Sequence, residues 1–220
     1  DHHLSHTLTG LAYSNSKKGI CSVVVDGFGD RSTASISQII DPTEINELWE
    51  CPYPVSLGLF YSSITDYLGF AINEGEYKVM GLASFGDSNS KSAKLVSGLM
   101  DWDSTSDKII SDMSYFDYYL STCNSFSSKL EDLLGPARNP FVQLNPGNSD
   151  FQRCADIARG AQDLTIYLLS KIFTHAHKIT NSRRFLFSGG VSMNSASIDS
   201  LAQLPFICLL YTSPSPRDIR

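Results

Sequence analysis

Asp1-His2-His3-Leu4-Ser5-His6 sets two imidazoles four residues apart, His2 and His6. On a helix, positions i and i+4 share a face, so both rings can present a nitrogen to one ion. His3 is expected to point elsewhere. Two histidines do not fix a metal by themselves, because a tight site usually adds a carboxylate or further ligands. Without such help the pair is a polar helix face. Asp26 is a candidate carboxylate, since it ends the run Ile20–Val25 and is followed by Gly27 and Gly29. At a strand tip it would stand where backbone N–H groups also approach phosphate. Turn chemistry gives a plainer account, because Asp-Gly is a strong hairpin signal. On that chemistry alone, the plainer account is preferred.

A second constellation is Ser188-Gly189-Gly190-Val191, between a short apolar run and a helical pattern. Glycines let backbone approach a phosphate or ribose, and a helix N-terminus favours anions. A lone Gly-Gly turn is more often simple loop geometry. Asn194, read as one turn into the next helix, either reaches a nucleotide or is solvated. Lys78 lies in the Gly-flanked segment Gly75–Ala83, where a cation could neutralise a phosphate. Most lysines are merely solvated, so Lys78 alone carries little weight. His175 and His177 fall late in a long helical pattern, which suggests solubility or interaction with the helix C-terminal dipole.

The elements that must position these groups follow from periodicity. Residues 2–13 carry Leu4, Leu8 and Leu11 at helical spacing. Ile20–Val25, the turn Gly27-Phe28-Gly29-Asp30 and the alternating run Ser32–Ile40 predict a β-hairpin. Ser56 is placed as the N-cap of a helix that carries Leu57, Phe60, Tyr61, Ile64 and Leu68 and stops at Gly69. Residues 87–148 are rich in Ser and Asp and punctuated by Pro136, Pro140 and Pro146, which predicts irregular structure and a mobile connection. Ser149–Ile179 predicts the longest helix, bent near Gly160. Arg184–Phe187 predicts a buried strand, and the next helix begins around Met193. The final stretch, 208–220, is Ser-Pro-rich, resembles a translated adaptor sequence, and is expected to lie outside the fold. The order implies an α/β protein with a nucleotide cleft, too irregular for a doubly wound sheet.

Composition narrows the function classes. A chain of 220 residues, 42% hydrophobic and 18% charged, has enough apolar sequence for a packed core. A net charge of -6 without Lys/Arg clusters argues against a nucleic-acid surface. No apolar run approaches a membrane span. Five scattered cysteines without close spacing point to a reducing, cytoplasmic compartment.

Taken together, the segments resemble the NodU-type O-carbamoyltransferase family, which is related to the enzymes that make threonylcarbamoyladenosine in tRNA. The resemblance is carried by Asp-His-His-Leu-Ser-His (1–6), Val-Val-Asp-Gly-Phe-Gly-Asp (24–30), Ser-Leu-Gly-Leu-Phe-Tyr-Ser (56–62) and Tyr-Leu-Gly-Phe (67–70). It continues through Gly-Glu-Tyr-Lys-Val-Met-Gly-Leu-Ala (75–83), Gly-Pro-Ala-Arg (135–138), Ala-Asp-Ile-Ala-Arg-Gly-Ala-Gln (155–162) and Ser-Gly-Gly-Val-Ser-Met-Asn (188–194). Each is modest alone, but in this order they are highly specific. They cover nearly everything up to Ile207.

The resemblance implies an incomplete actin-like, sugar-kinase-like ATPase fold over 1–207. A further C-terminal adenylate-forming domain would join carbamoyl phosphate and ATP into carbamoyl adenylate. The domain represented here would pass the carbamoyl group to a hydroxyl of a small-molecule acceptor, such as a sugar or antibiotic precursor, and release AMP. Iron(II) or another divalent metal would be held by His2, His6 and Asp26, with Asp26 also catalytic, and by a later Asp. Gly27, Gly189, Gly190 and Asn194 would hold the nucleotide, and Lys78 carries over with them. The family's later Asp sits in a Gly-Asp-x-Gly segment that has no match here, so Asp218 is not assigned its role. Such a fragment alone is expected to be inactive. Two rival readings are threonylcarbamoyl transfer to tRNA and a non-catalytic nucleotide-binding module.

Overall fold

The computed structural model describes residues 1–14, 18–121, 123–147 and 150–212. In chain order the elements are α1 (His2–Tyr13), β1 (Ile20–Val25), β2 (Ser32–Asp41), β3 (Glu44–Pro52), α2 (Leu57–Tyr67), α3 (Glu76–Ala83), α4 (Lys91–Ser97), β4 (Met100–Asp103) and β5 (Lys108–Ser111). They continue with α5 (Ser128–Leu134), α6 (Phe151–Thr180), β6 (Arg184–Ser188), α7 (Ser195–Ala202) and β7 (Leu209–Thr212). Contacts divide the chain into two units, Asp1–Gly58 with Leu168–Arg220, and Leu59–Tyr167.

The first unit is built on a five-stranded sheet in the order β3-β2-β1-β6-β7. β1, β6 and β7 run parallel, while β2 is antiparallel to both β1 and β3. β1 is buried along its whole length, as expected of a central strand covered on both faces. Side chains alternate between faces. On one face Cys21 and Val23 pair with Phe185 and Phe187, and the Phe173 ring of α6 lies 5.4 Å from each of those phenylalanines. On the other face, Leu11 of α1 joins Ile20, Ile39 and Leu186 in a buried cluster edged by Ile45 and Tyr211.

Several expectations change here. Of the three leucines, Leu11 is buried while Leu4 and Leu8 are 41% and 43% exposed, and α1 also buries His3, Thr7 and Gly10. Close packing on the sheet selects small residues over the leucine stripe: a Cβ on Gly10 would come 2.7 Å from Leu186. The stretch 208–220 was read as lying outside the fold, yet its residues Leu209–Thr212 form β7 beside β6. Residues 213–220 lie outside the described residues. β3, which the sequence reading did not identify, completes a β1-β2-β3 meander. His175 and His177 are also not merely solvated. His175 is buried with its ring 6.0 Å from that of Trp49. His177 donates from Nδ1 to the Ser182 carbonyl at 2.7 Å and stacks on Phe206.

The second unit is mainly helical and is more ordered than its Ser- and Asp-rich sequence suggested. Met100–Asp103 and Lys108–Ser111 pair as an antiparallel hairpin. Its turn is closed by the Asp103 carboxylate, which accepts from the Thr105 N–H and the Ser106 hydroxyl. Arg138 is buried and donates to the carbonyls of Leu68, Gly69, Asn139 and Val142. It thereby satisfies acceptors just beyond the α2 C-terminus. α6 runs as one 30-residue helix. Gly160 serves contact with α4, since a Cβ there would come 2.4 Å from the Ala93 carbonyl oxygen.

Candidate metal centre

The site is assembled in the first unit from the start of α1 and the tip of β1. Asp1 caps α1 by accepting from the Leu4 N–H at 3.1 Å, which fixes His2 in the first turn and His6 one turn on. The His2 N–H donates to Asp30 Oδ2 at 2.9 Å, tying the helix start to the β1–β2 turn. β1 extends to Asp26, whose N–H donates to the Thr33 carbonyl at 2.9 Å. Asp26 Oδ1 accepts from the Gly27 N–H at 2.8 Å, which leaves Oδ2 turned to the imidazoles.

There the three side chains converge. His6 Nε2 lies 2.8 Å and His2 Nε2 3.1 Å from Asp26 Oδ2, and the two ring nitrogens are 3.2 Å apart. All three donor atoms fall within 4.8 Å of one another. Burial works to raise the Asp26 pKa, but hydrogen bonds from His6, His2 and Gly27 outweigh it and hold the carboxyl well below the usual range. The group is thus an anion under ordinary conditions.

This set fits a divalent ion. Ligands about 2.1 Å from one ion and roughly at right angles lie about 3 Å apart, the separations seen here. Two imidazole nitrogens and a carboxylate oxygen facing one point are also donor types that a divalent cation takes. Two histidines and one carboxylate suit iron(II) and its neighbours in the first transition row.

The glycine turn lies against the same carboxylate. Gly189 has φ +90°, and a Cβ on it would come 2.3 Å from the Val25 carbonyl oxygen. A Cβ on Gly190 would lie 3.0 Å from Asp26 Oδ1. On the α2 side, Gly58 leaves room for the Asp26 carbonyl, 2.6 Å from its would-be Cβ, and the Ser56 hydroxyl donates to the Gly27 carbonyl at 2.7 Å. His2, His6, Asp26, Gly27, Gly189 and Gly190 are therefore neighbours.

Asn194 and Lys78 stand differently. Asn194 is the N-cap of α7, its Oδ1 accepting from the Ser197 N–H at 3.0 Å, not a residue one turn inside the helix. Gly190–Met193 form a short 3-10 turn that delays the helix. Lys78 belongs to the second unit, exposed on α3, with its ammonium 5.7 Å from the Phe70 ring centre and 5.8 Å from that of Tyr77.

His3 was expected to point away from the site and was given no role. It is 3% exposed, and its Nδ1 pairs with Ser35 Oγ at 2.8 Å. Burial, and then the neighbouring His2, lower its pKa, so the ring is neutral. Ser32 and Ser35, whose hydroxyls lie 3.5 Å and 2.8 Å from His3 Nδ1, were the signal available in the sequence.

The family model for the carbamoyltransferase N-terminus matches residues 1–219. An uncharacterised Synechocystis protein, sll1178, is 31% identical over 198 residues, covering 88% of this chain and 30% of its own length. Nodulation protein NolNO of Sinorhizobium fredii is 25% identical over 99% of this chain and 29% of its own length. Nodulation protein NolO of Bradyrhizobium diazoefficiens is 26% identical over the same share, and 36% of its own length. The chain spans about a third of the length of these relatives.

Proposed function

The chain belongs to the carbamoyltransferase family, and from that membership we propose that it moves a carbamoyl group from carbamoyl adenylate to a hydroxyl of a small-molecule acceptor. The observation that carries this reading is the convergence of two imidazole nitrogens and one carboxylate oxygen beside a glycine turn. The strand order, with three parallel strands and an antiparallel β2 between β1 and β3, supports the actin-like nucleotide-binding architecture.

In the proposed reaction the acceptor hydroxyl gives up its proton to solvent as its oxygen attacks the carbamoyl carbon, the bond from that carbon to the phosphate oxygen breaks, and AMP leaves with the electron pair. His2, His6 and Asp26 would hold a divalent ion, iron(II) by ligand type. When bound, that ion supplies Lewis acidity toward phosphate and carbonyl oxygens. Asp26, fixed by the Gly27 N–H, keeps one oxygen on the cluster and the other on the backbone. Gly189 lets the turn close on the Val25 carbonyl, and Gly190 leaves room beside Asp26 Oδ1, where a phosphate of the nucleotide would approach. Asn194 caps the helix that follows. A further domain of the whole protein would make the adenylate from ATP and carbamoyl phosphate.

The test uses the full-length protein. Purified anaerobically, it should hold about one iron per chain, and His2→Ala should lose at least tenfold in metal affinity. Supplied with ATP, carbamoyl phosphate and a panel of hydroxyl acceptors, it should release AMP. Unchanged metal content in His2→Ala would refute the ligand assignment.

A further inference from the structure

We infer that His3 is a positioning residue for the metal centre: its buried ring sets how closely the His2/His6 face of α1 approaches Asp26. This rests on the metal reading above and extends it to a residue that binds nothing itself.

The face that α1 turns to the sheet makes a contact with each of three adjacent strands. His3 Nδ1 meets Ser35 Oγ on β2 at 2.8 Å, Thr7 Oγ1 meets Ser22 Oγ on β1 at 2.9 Å, and Gly10 lies against Leu186 on β6. Those strands are neighbours in the order β2-β1-β6, so the contacts fix both the height and the rotation of the helix. Rotation is what matters to the site, because successive residues lie about 100° apart around a helix. His2 and His6 reach Asp26 only while His3 and Thr7 face the sheet.

His3 is also the contact nearest the metal centre. Its ring presses on the turn that follows Asp26: a Cβ on Gly29 would come 2.8 Å from both Cδ2 and Nε2. Nε2 is buried and has no hydrogen-bond partner among the described residues. A buried polar nitrogen left unpaired is unfavourable, and an apolar ring would fill the volume without that penalty. Filling space therefore does not explain a histidine here. The directional bond to Ser35 does, because it fixes the orientation of the ring and hence the separation of α1 from the β1–β2 turn.

Cobalt(II) titrated into metal-free full-length protein tests the inference, with affinity measured by chelator competition and ligand geometry by the visible absorption band. His3→Phe keeps a ring of similar volume and removes the bond to Ser35 together with the 3.5 Å contact of Nδ1 with the Ser32 hydroxyl, and the double variant Ser32→Ala/Ser35→Ala removes both from the other side. Each should weaken cobalt binding about tenfold or more and alter the band, since outer-shell groups that orient ligands act on this scale. Wild-type affinity and band in either folded variant would overturn the inference while leaving the metal centre intact. Wild-type protein that takes up no cobalt would overturn the metal reading and this inference with it. If His3→Phe does not fold, the Ser32→Ala/Ser35→Ala variant decides.

Discussion

At the scale of single residues, the site is governed by where each polar atom can find a partner. Asp26 gives one oxygen to its own strand tip and the other to two imidazoles, so replacing it by Asn should remove a ligand without disturbing the Gly27 contact. Asp26→Asn is expected to retain the fold by circular dichroism and to lose at least tenfold in metal affinity. The cysteines give an independent check on burial. Cys21, Cys51 and Cys154 are buried, whereas Cys123 and Cys208 are exposed, and none is in a disulfide. A thiol reagent should modify the exposed pair rapidly and the buried three only on unfolding. Burial pushes the Cys21 thiol from 9.0 up to about 12. Between those values the unfolded chain gives up a proton that the folded state keeps, so stability falls as pH rises through the window. Denaturant midpoints taken below and within it should therefore drop less in Cys21→Ala than in wild type. The His2/His6 pair was legible because i, i+4 spacing is a property of the helix itself. That Asp26 joins the pair is a tertiary fact, and turn chemistry alone pointed the other way. His3 was missed because the leucine spacing suggested a different buried face, and only the small residues of β2 show why a histidine lies beneath the helix.

Among the elements, glycines separate close backbone approach from mere tolerance. Gly189→Ala places a Cβ against the Val25 carbonyl at a positive φ, and should cost about 1–3 kcal/mol from overpacking alone. Because the same turn lies beside the Asp26 carboxylate, metal affinity should fall with it. Gly81 lies inside α3 with open space around it. Gly81→Ala should raise stability by roughly 0.5–1 kcal/mol, the usual gain for a helix interior. Opposite shifts of the urea midpoint in these two variants would check both statements, and a destabilised Gly81→Ala would show a close contact at α3 that the geometry excludes. Elements with strong periodicity were readable: the β1–β2 hairpin, α2, α6 and β6 lie within a few residues of their predicted bounds. β3 was not, because Glu44–Pro52 alternates weakly and most of its side chains stay partly or fully exposed. The β4–β5 hairpin was hidden by its Ser- and Asp-rich turn, although that composition is what closes it. Leu209–Thr212 pairs through its backbone, which composition does not reveal.

For the whole molecule, charge and length decide which reaction is worth testing. A net charge of -6 without Lys/Arg clusters in the sequence leaves few cations to neutralise phosphates, so tRNA binding is expected to be weak and to depend only shallowly on salt. Among the described residues no helix is long and apolar enough to cross a membrane. The relatives run to about three times its length, and adenylate formation needs ATP and carbamoyl phosphate held together with their leaving groups aligned. The candidate metal ligands His2, His6 and Asp26 beside the glycine turn would suit the transfer half of the proposed reaction. The 220-residue chain by itself should therefore bind cobalt yet release no AMP from ATP and carbamoyl phosphate, whereas the full-length protein should do both. Preformed carbamoyl adenylate separates the two halves further. Given it with an acceptor, full-length protein whose adenylating domain has been inactivated should still release AMP, and adding His2→Ala should abolish that release. AMP formation by the isolated chain from ATP and carbamoyl phosphate would place activation within these residues and overturn the division of labour.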